Sequence, residues 1–329
     1  MNPRAQTSIS TAEEAALRRA LAAAREYRGA TSPNPPVGAA ALDRDGRLLG
    51  IAAHQRAGQG HAEARLLQKA REEGWIDELH TMLVTLEPCN HVGRTPACSD
   101  AILAHPRIRR VIYGTRDPNP RVDGSGAKKL QDAGLDVIAA TGALADECRK
   151  LLAPFAKWIT TRRPWVTVKT AHRRDVTGFG ESMIPDSGQK TFTSPDSLQI
   201  AHALRKRADA ILTGSGTIIA DRPELTVRHL PDHPNKSRWL LVMDRRARTP
   251  EDWIQAAKAR GFLVNTQLHS LEEALDFAGL QGCLEVLVEA GPTLSQAILS
   301  SSLWDEHVLI SQAEREGGPD RVEVRFRVS

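Results

Sequence analysis

Short apolar runs alternate with helical patterns along this chain, stop at a polar, proline-ended stretch, and then begin again. That repeated alternation is what most restricts the fold. A run bounded by turn residues and followed by a helix reads as a strand buried on both faces, and such strands need helices packed over a sheet. The pattern predicts a helix over 12–28, strands over 38–42 and 47–53 around the turn Asp43-Arg-Asp-Gly46, and a helix over 61–73 closed by Gly74. A strand at 82–86, a helix from Pro96, a strand at 110–114, a helix at 127–133 and a strand at 135–140 complete a three-layer α/β domain on a largely parallel sheet. After the stretch 156–164 the alternation restarts: strands at 165–170, 210–213, 239–243 and 284–288, with helices at 197–207, within 250–260 and at 293–300. A chain of 329 residues suits two domains, and the expected division is 1–157 and 158–329.

Composition removes several classes. A hydrophobic share of 41% with 26% charged residues belongs to an ordinary globular protein, and no run approaches the roughly 18 apolar residues that a membrane span needs. The first twenty residues carry early acidic groups and no apolar signal core, so the chain is expected to be cytoplasmic, with no membrane partner. The 44 basic and 40 acidic residues leave a net charge of only +4. Three short basic clusters stand out, Arg162-Arg163, Arg205-Lys206-Arg207 and Arg245-Arg246-Ala247-Arg248. Each reads first as a solvated face and second as a site for a phosphate-bearing small molecule. Nucleic acid is not expected, because aromatics make up 4% of the chain and none interleaves with these clusters.

Three features converge in the first half. His61-Ala62-Glu63 puts an imidazole and a carboxylate at the start of a helix, Pro88-Cys89 ends a strand, and Cys98 lies just inside the next helix. One histidine and two cysteines form a three-ligand set for zinc with the fourth position open, the arrangement of a catalytic site. Helix N-termini favour the thiolate form that binds metal. Glu63 can lie over the open position, take a proton from water and pass it to a substrate. Cys148 and Cys283 have no partner motif and read as packing or surface thiols.

The spacing departs from the Pro-Cys-x-x-Cys signature of zinc base deaminases, since eight residues, Asn90-His-Val-Gly-Arg-Thr-Pro-Ala97, separate the two cysteines. With the segment Thr31-Ser-Pro-Asn-Pro-Pro-Val-Gly38, residues 54–63 and Arg116-Asp-Pro-Asn-Pro120, that insert resembles the deaminase half of the bifunctional riboflavin-biosynthesis deaminase/reductase family over about residues 12–157. The resemblance implies a cytidine-deaminase-like fold and release of ammonia from a diaminopyrimidinone ribosyl phosphate. It also implies substrate contacts at Asn34, His54, His91 and Arg94, with Asn34 reading the pyrimidine edge and the basic residues meeting the ribose phosphate.

Residues 165–309 resemble the reductase half of the same family, a dihydrofolate-reductase-like α/β domain that uses NADPH. The matching pieces include Arg163-Pro-Trp-Val-Thr-Val-Lys169, Gly214-Ser-Gly-Thr-Ile-Ile-Ala-Asp221 and Val288-Glu-Ala-Gly-Pro-Thr-Leu294. By position, the resemblance implies that Thr217, Asp221 and Gly291 face the cofactor and that Arg205, Arg228 and Glu289 face the substrate. Several pieces depart. Arg173-Arg174-Asp175-Val176 stands in place of Ser-Leu-Asp-Gly, Asp244-Arg245 in place of Asp-Ser, and the region after Val308-Leu-Ile310 is shortened. The expectation is therefore a zinc deaminase whose reductase-like domain is impaired or repurposed, in a specialised branch such as toxoflavin-type synthesis. Homodimers or higher homo-oligomers are expected, as that half of the family usually oligomerises. The rival readings are a fully bifunctional enzyme, a non-catalytic scaffold stabilised by zinc, and a nucleic-acid base deaminase.

Overall fold

The structure, a computed structural model, describes residues 8–90, 97–119, 124–185, 191–315 and 318–327. The chain divides into two compact units, Met1–Thr160 and Thr161–Ser329.

The first unit contains α1(Thr11–Glu26), β1(Gly38–Leu42), β2(Leu48–Ala53), α2(Ala62–Glu72), β3(Thr81–Val84), α3(Cys98–Leu103), β4(Arg110–Tyr113), α4(Ser125–Asp132), β5(Asp136–Ala139) and α5(Gly142–Thr161). Its sheet has the order β2-β1-β3-β4-β5. The β1–β2 and β1–β3 pairings are antiparallel and the other two parallel, so the sheet is mixed rather than largely parallel. The expected turn at Gly46 joins β1 and β2 as an antiparallel hairpin. Strand β1 is nearly all small residues for a reason. Ala39 and Ala41 face one apolar layer with α2, while Ala40 and Leu42 face the other with α1 and α5. Helix α1 comes so close that a Cβ at Gly38 would lie 1.9 Å from Ala20 O. A capping box fixes where α1 starts: Glu13 N donates to Ser10 Oγ and Ser10 N donates back to the Glu13 carboxylate.

The expected linker at 156–164 is mostly helix. Helix α5 runs to Thr161 and buries Leu144, Cys148, Leu151, Leu152 and Phe155 despite Pro154 inside it. The 157/158 division thus falls within α5, and packing of its apolar stripe overrides the local polar, proline-bearing signal.

The second unit contains β6(Trp165–His172), α6(Phe179–Ser182), α7(Pro195–Arg207), β7(Ala210–Gly214), α8(Ser215–Asp221), β8(Arg238–Met243), α9(Glu251–Ala259), β9(Phe262–Leu268), α10(Leu271–Leu280), β10(Glu285–Val288), α11(Pro292–Leu299), β11(Glu306–Ser311) and β12(Arg321–Phe326). The sheet order is β12-β11-β6-β10-β7-β8-β9. Only the β11–β12 pair is antiparallel. The loops that follow β6, β10, β7 and β8 therefore open on one edge of the sheet, where ligands bind in doubly wound folds. Elements α6, α8, β9, α10 and β11 lie outside the sequence expectation. Among the described residues, no helix is long and apolar enough to cross a membrane.

Candidate active sites

In the first unit, two strand ends and two helix starts meet. His61 is the N-cap residue of α2, and its ring makes no cap hydrogen bond, leaving it free to turn inward. Cys89 follows β3, and Cys98 is the first residue of α3. His61 Nδ1 lies 3.6 Å from Cys89 Sγ and 3.4 Å from Cys98 Sγ, and all three ligand atoms lie within 4.8 Å of one another. Cys98 N donates to Cys89 Sγ across 3.4 Å, and Ser99 N donates to Cys89 O. A hydrogen bond from the Cys98 thiol, with His61 beside it, holds the Cys89 thiol well below its ordinary range, while sharing that hydrogen pushes Cys98 up. Such a soft, buried donor set, one member already disposed to be a thiolate, fits zinc.

Glu63, in the first turn of α2, is only 3% exposed. Burial, reinforced by the Cys89 charge, raises its carboxyl to about 7. A carboxyl poised there can both accept and return a proton at neutral pH.

The segment that carries Cys89 is locked from behind. Glu87 Oε2 accepts from Gly124 N at 3.1 Å and Oε1 from Ala127 N at 3.0 Å, tying the end of β3 to the start of α4. A Cβ at Gly126 would sit 1.8 Å from Pro88 O, so the helix rests directly on the ligand-bearing backbone. Sequence reasoning missed both residues, although a glutamate at the end of an apolar strand was a visible signal.

Of the expected substrate contacts, the structure brings Asn34 and His54 to this centre. His54 Nδ1 meets Gly60 O at 3.0 Å, which leaves Nε2 as the acceptor for Asn34 Nδ2 at 3.3 Å. The ring stacks edge-on to His61, with centroids 5.6 Å apart, and is 2% exposed. Burial lowers its pKa and keeps it neutral. Its hydrogen bond holds the Asn34 amide in place. His91 and Arg94 lie outside the described residues.

In the second unit, Arg205 on α7 and Glu289 after β10 form a two-pronged ion pair, Nε–Oε1 2.8 Å and Nη2–Oε2 2.7 Å. Lys169 on β6 lies beside them, and its burial lowers its pKa against the pull of the Glu289 charge. The sequence reading passed over Lys169, though a lysine within the apolar strand Trp165–His172 was itself a signal. Thr217 and Gly291 also meet, Gly291 N donating to Thr217 Oγ1 at 2.9 Å, so the start of α8 and the loop after β10 are stitched together. Asp221, the last residue of α8, is exposed, and so is Arg228, which pairs with Glu224. Arg228 N donates to His202 Nδ1 at 2.9 Å, which pins the loop after α8 against α7.

This chain is similar to known proteins. A family described as the cytidine and deoxycytidylate deaminase zinc-binding region matches residues 10–115, and one described as the RibD C-terminal domain matches 180–314. The riboflavin biosynthesis protein RibD of Aquifex aeolicus is 34% identical over 304 residues, covering 92% of this chain and 80% of the relative. That of Escherichia coli is 34% identical over 328 residues, covering 90% and 86%. Among solved structures, Acinetobacter baumannii RibD is 31% identical with a TM-score of 0.75, covering 94% of this chain and 89% of that one. A Thermotoga maritima diaminohydroxyphosphoribosylaminopyrimidine deaminase/5-amino-6-(5-phosphoribosylamino)uracil reductase is 29% identical with a TM-score of 0.76, covering 93% and 88%.

Proposed function

The chain belongs to the RibD family of riboflavin-biosynthesis deaminase/reductases, and on that premise we propose that its first unit deaminates a diaminopyrimidinone ribosyl phosphate to the aminouracil. It is a zinc deaminase with both family domains present. The observation that carries the proposal is the convergence of His61, Cys89 and Cys98 within 4.8 Å, with Glu63 buried at the start of the same helix.

His61, Cys89 and Cys98 hold the metal. When bound, zinc supplies Lewis-acid chemistry that makes water acidic enough to act as a nucleophile near neutral pH. Glu63 accepts the proton of the water that attacks the amino-bearing carbon, then returns it to the amino group. The carbon–nitrogen bond breaks, ammonia leaves, and a carbonyl remains. Asn34, oriented by His54, hydrogen-bonds the pyrimidine edge, and His91 and Arg94 meet the phosphate. Replacing Glu63 with alanine tests this: ammonia release should stop while zinc stays bound. Turnover that persists would remove Glu63 from the mechanism.

For the second unit the reading is a dinucleotide-binding domain whose ribose reduction is impaired or repurposed, as suits a branch such as toxoflavin-type synthesis. Buried Thr213 Oγ1 near the end of β7 and Asp244 Oδ1 just after β8 lack hydrogen-bond partners and so fit a polar ligand such as NADPH. Its support for impairment is the replaced segment at 173–176. Arg174 donates from Nη1 to the carbonyls of Ala313 and Glu314, so this segment is tied to the short β11–β12 connection. A second reading, with both halves active, is favoured by the assembled Lys169, Arg205 and Glu289 cluster. NADPH oxidation during turnover separates the two. We further propose self-association through β12, an edge strand with Val322, Val324 and Phe326 exposed on alternate positions. Sedimentation of the full chain tests that, and a monomer would overturn it.

A further inference from the structure

The second unit's sheet carries two histidines that neither the zinc centre nor the Lys169 cluster uses. His172 ends β6, and His307 lies on the neighbouring strand β11. Alternation along β6 turns Thr170 and His172 to one face and Lys169 to the other. On that face four side chains form one continuous run of hydrogen bonds. His307 Nε2 lies 2.9 Å from Thr170 Oγ1, Thr170 Oγ1 lies 3.2 Å from His172 Nε2, and His172 Nδ1 lies 2.7 Å from Ser182 Oγ of α6. Ser182 Oγ then donates to Phe179 O at 3.1 Å.

The hydrogens run in one direction. Ser182 has a single hydroxyl hydrogen, aimed at Phe179 O, so it accepts from His172 Nδ1–H. A neutral ring with its hydrogen on Nδ1 presents a bare Nε2, which accepts from the Thr170 hydroxyl. Thr170 in turn accepts from His307 Nε2–H. A second proton on His307 goes to Nδ1 and leaves this order intact. A second proton on His172 goes to Nε2 and faces the Thr170 hydroxyl hydrogen, so that link breaks. Thr170 is 1% exposed, and a hydroxyl hydrogen that loses its acceptor there is costly.

These bonds close a loop. Arg173 N donates to Ser182 O at 2.8 Å, joining the two ends of residues 173–182, and Gln312 N donates to His172 O at 2.9 Å. Helix α6 within that loop rests on the first turn of α11, since a Cβ at Gly180 would lie 3.4 Å from Pro292 Cβ. It therefore covers the residue after Gly291, on the edge where the loops of the sheet open. Around His172 stand the Phe179 ring, with centroids 5.1 Å apart, Arg173 paired with Asp175, and the exposed Glu181 of α6. From β12, Arg325 and Glu323, paired with each other, face His307.

We propose that Thr170, His172, Ser182 and His307 form a pH-sensitive clasp, which holds α6 over the start of α11 while His172 is neutral and releases it when His172 takes a proton. Burial lowers the His172 pKa below the 6.5 of a free imidazole. Burial, with Arg325 and His172 adding and Glu323 opposing, lowers that of His307. In the open loop His172 titrates near its ordinary value, so the clasp is complete above about pH 6.5 and weakens as pH falls below it. The ratio of closed to open loop drops by about tenfold per pH unit until the closed-state pKa is reached. The device acts on the loop whether or not hydride transfer occurs in this unit.

Hydrogen exchange of the full zinc-loaded chain, read by mass spectrometry at about pH 7.5 and about pH 5.5 and corrected for the intrinsic rates, tests it. Protection of residues 173–182 should fall by about tenfold at the lower pH in the wild type. His172→Gln should abolish that fall, whereas His307→Gln should keep it, because an amide can still donate to Thr170. Ser182→Ala, which cuts the clasp at α6, should leave the loop poorly protected at both pH values. Melting curves matching the wild type at pH 7.5 will show that each variant is folded. Equal protection of the wild-type loop at both pH values, or a fall that survives in His172→Gln, would overturn the proposal. So would full protection of the loop in Ser182→Ala at pH 7.5.

Discussion

The two units organise their polar groups in opposite ways. In the first, the chemistry is concentrated in residues close along the chain. His61 and Glu63 share one helix start, and Cys89 and Cys98 flank one loop. In the second, the paired groups come from distant segments: Arg205 meets Glu289 across 84 positions and Arg174 meets Ala313 across 139. The first site therefore depends on a few local turns and a metal, the second on the whole sheet being in register. Damage to the first should silence chemistry and spare the fold of the other unit, whereas damage to the second should be felt first as lost stability.

The largest effect expected is on Glu63. Glu63→Ala should lower ammonia release by about 10³-fold or more, the scale of a lost general acid–base, with zinc content unchanged by metal analysis. Next comes the metal. Cys98→Ser, or a chelator, should remove zinc and lower the melting transition of the first unit while the second unit's transition stays put. A single joint shift would break the proposed independence. Arg205→Ala leaves the carboxylate of Glu289, largely covered and paired only with it among the ion pairs described, without that partner, and should cost the second unit about 3 kcal/mol. Deaminase turnover should survive this change.

Smaller effects sharpen the contrast. Glu87→Ala removes two hydrogen bonds that seat α4 on the Cys89 segment, so the first unit should lose about 1–3 kcal/mol and bind zinc more weakly. A pH dependence completes the comparison. Burial, with Arg205 and its neighbours adding, lowers His202 from 6.5 to about 4. An unfolded histidine takes up a proton below about 6.5 that the folded one refuses, so the second unit should lose stability as pH falls from about 6.5 toward 4 and level off beyond. His202→Gln should flatten that slope in thermal unfolding followed against pH.

Legibility follows the same contrast. The zinc cluster could be read because its ligands sit at a helix start and a strand end, where local spacing survives folding. The pairing of His54 with Asn34 could not, since it depends on burial against His61 and on the carbonyl of Gly60. Helix α5 was hidden by Pro154 and a polar end, and it is held by the apolar stripe from Leu144 to Phe155. Strand β9, Phe-Leu-Val-Asn-Thr-Gln-Leu, was hidden because an edge strand needs little apolar alternation. The hairpin of β1 and β2 makes the first sheet mixed, and strand direction is a property of connections rather than of composition.

One measurement bears most directly on the central claim. Zinc-analysed full-length protein is given the diaminopyrimidinone ribosyl phosphate with NADPH present, and ammonia and NADPH are followed together. The account predicts ammonia released in step with substrate lost, with little or no NADPH consumed. No ammonia from fully zinc-loaded protein would contradict it, and NADPH consumed in step with ammonia would restore a working reductase to the second unit.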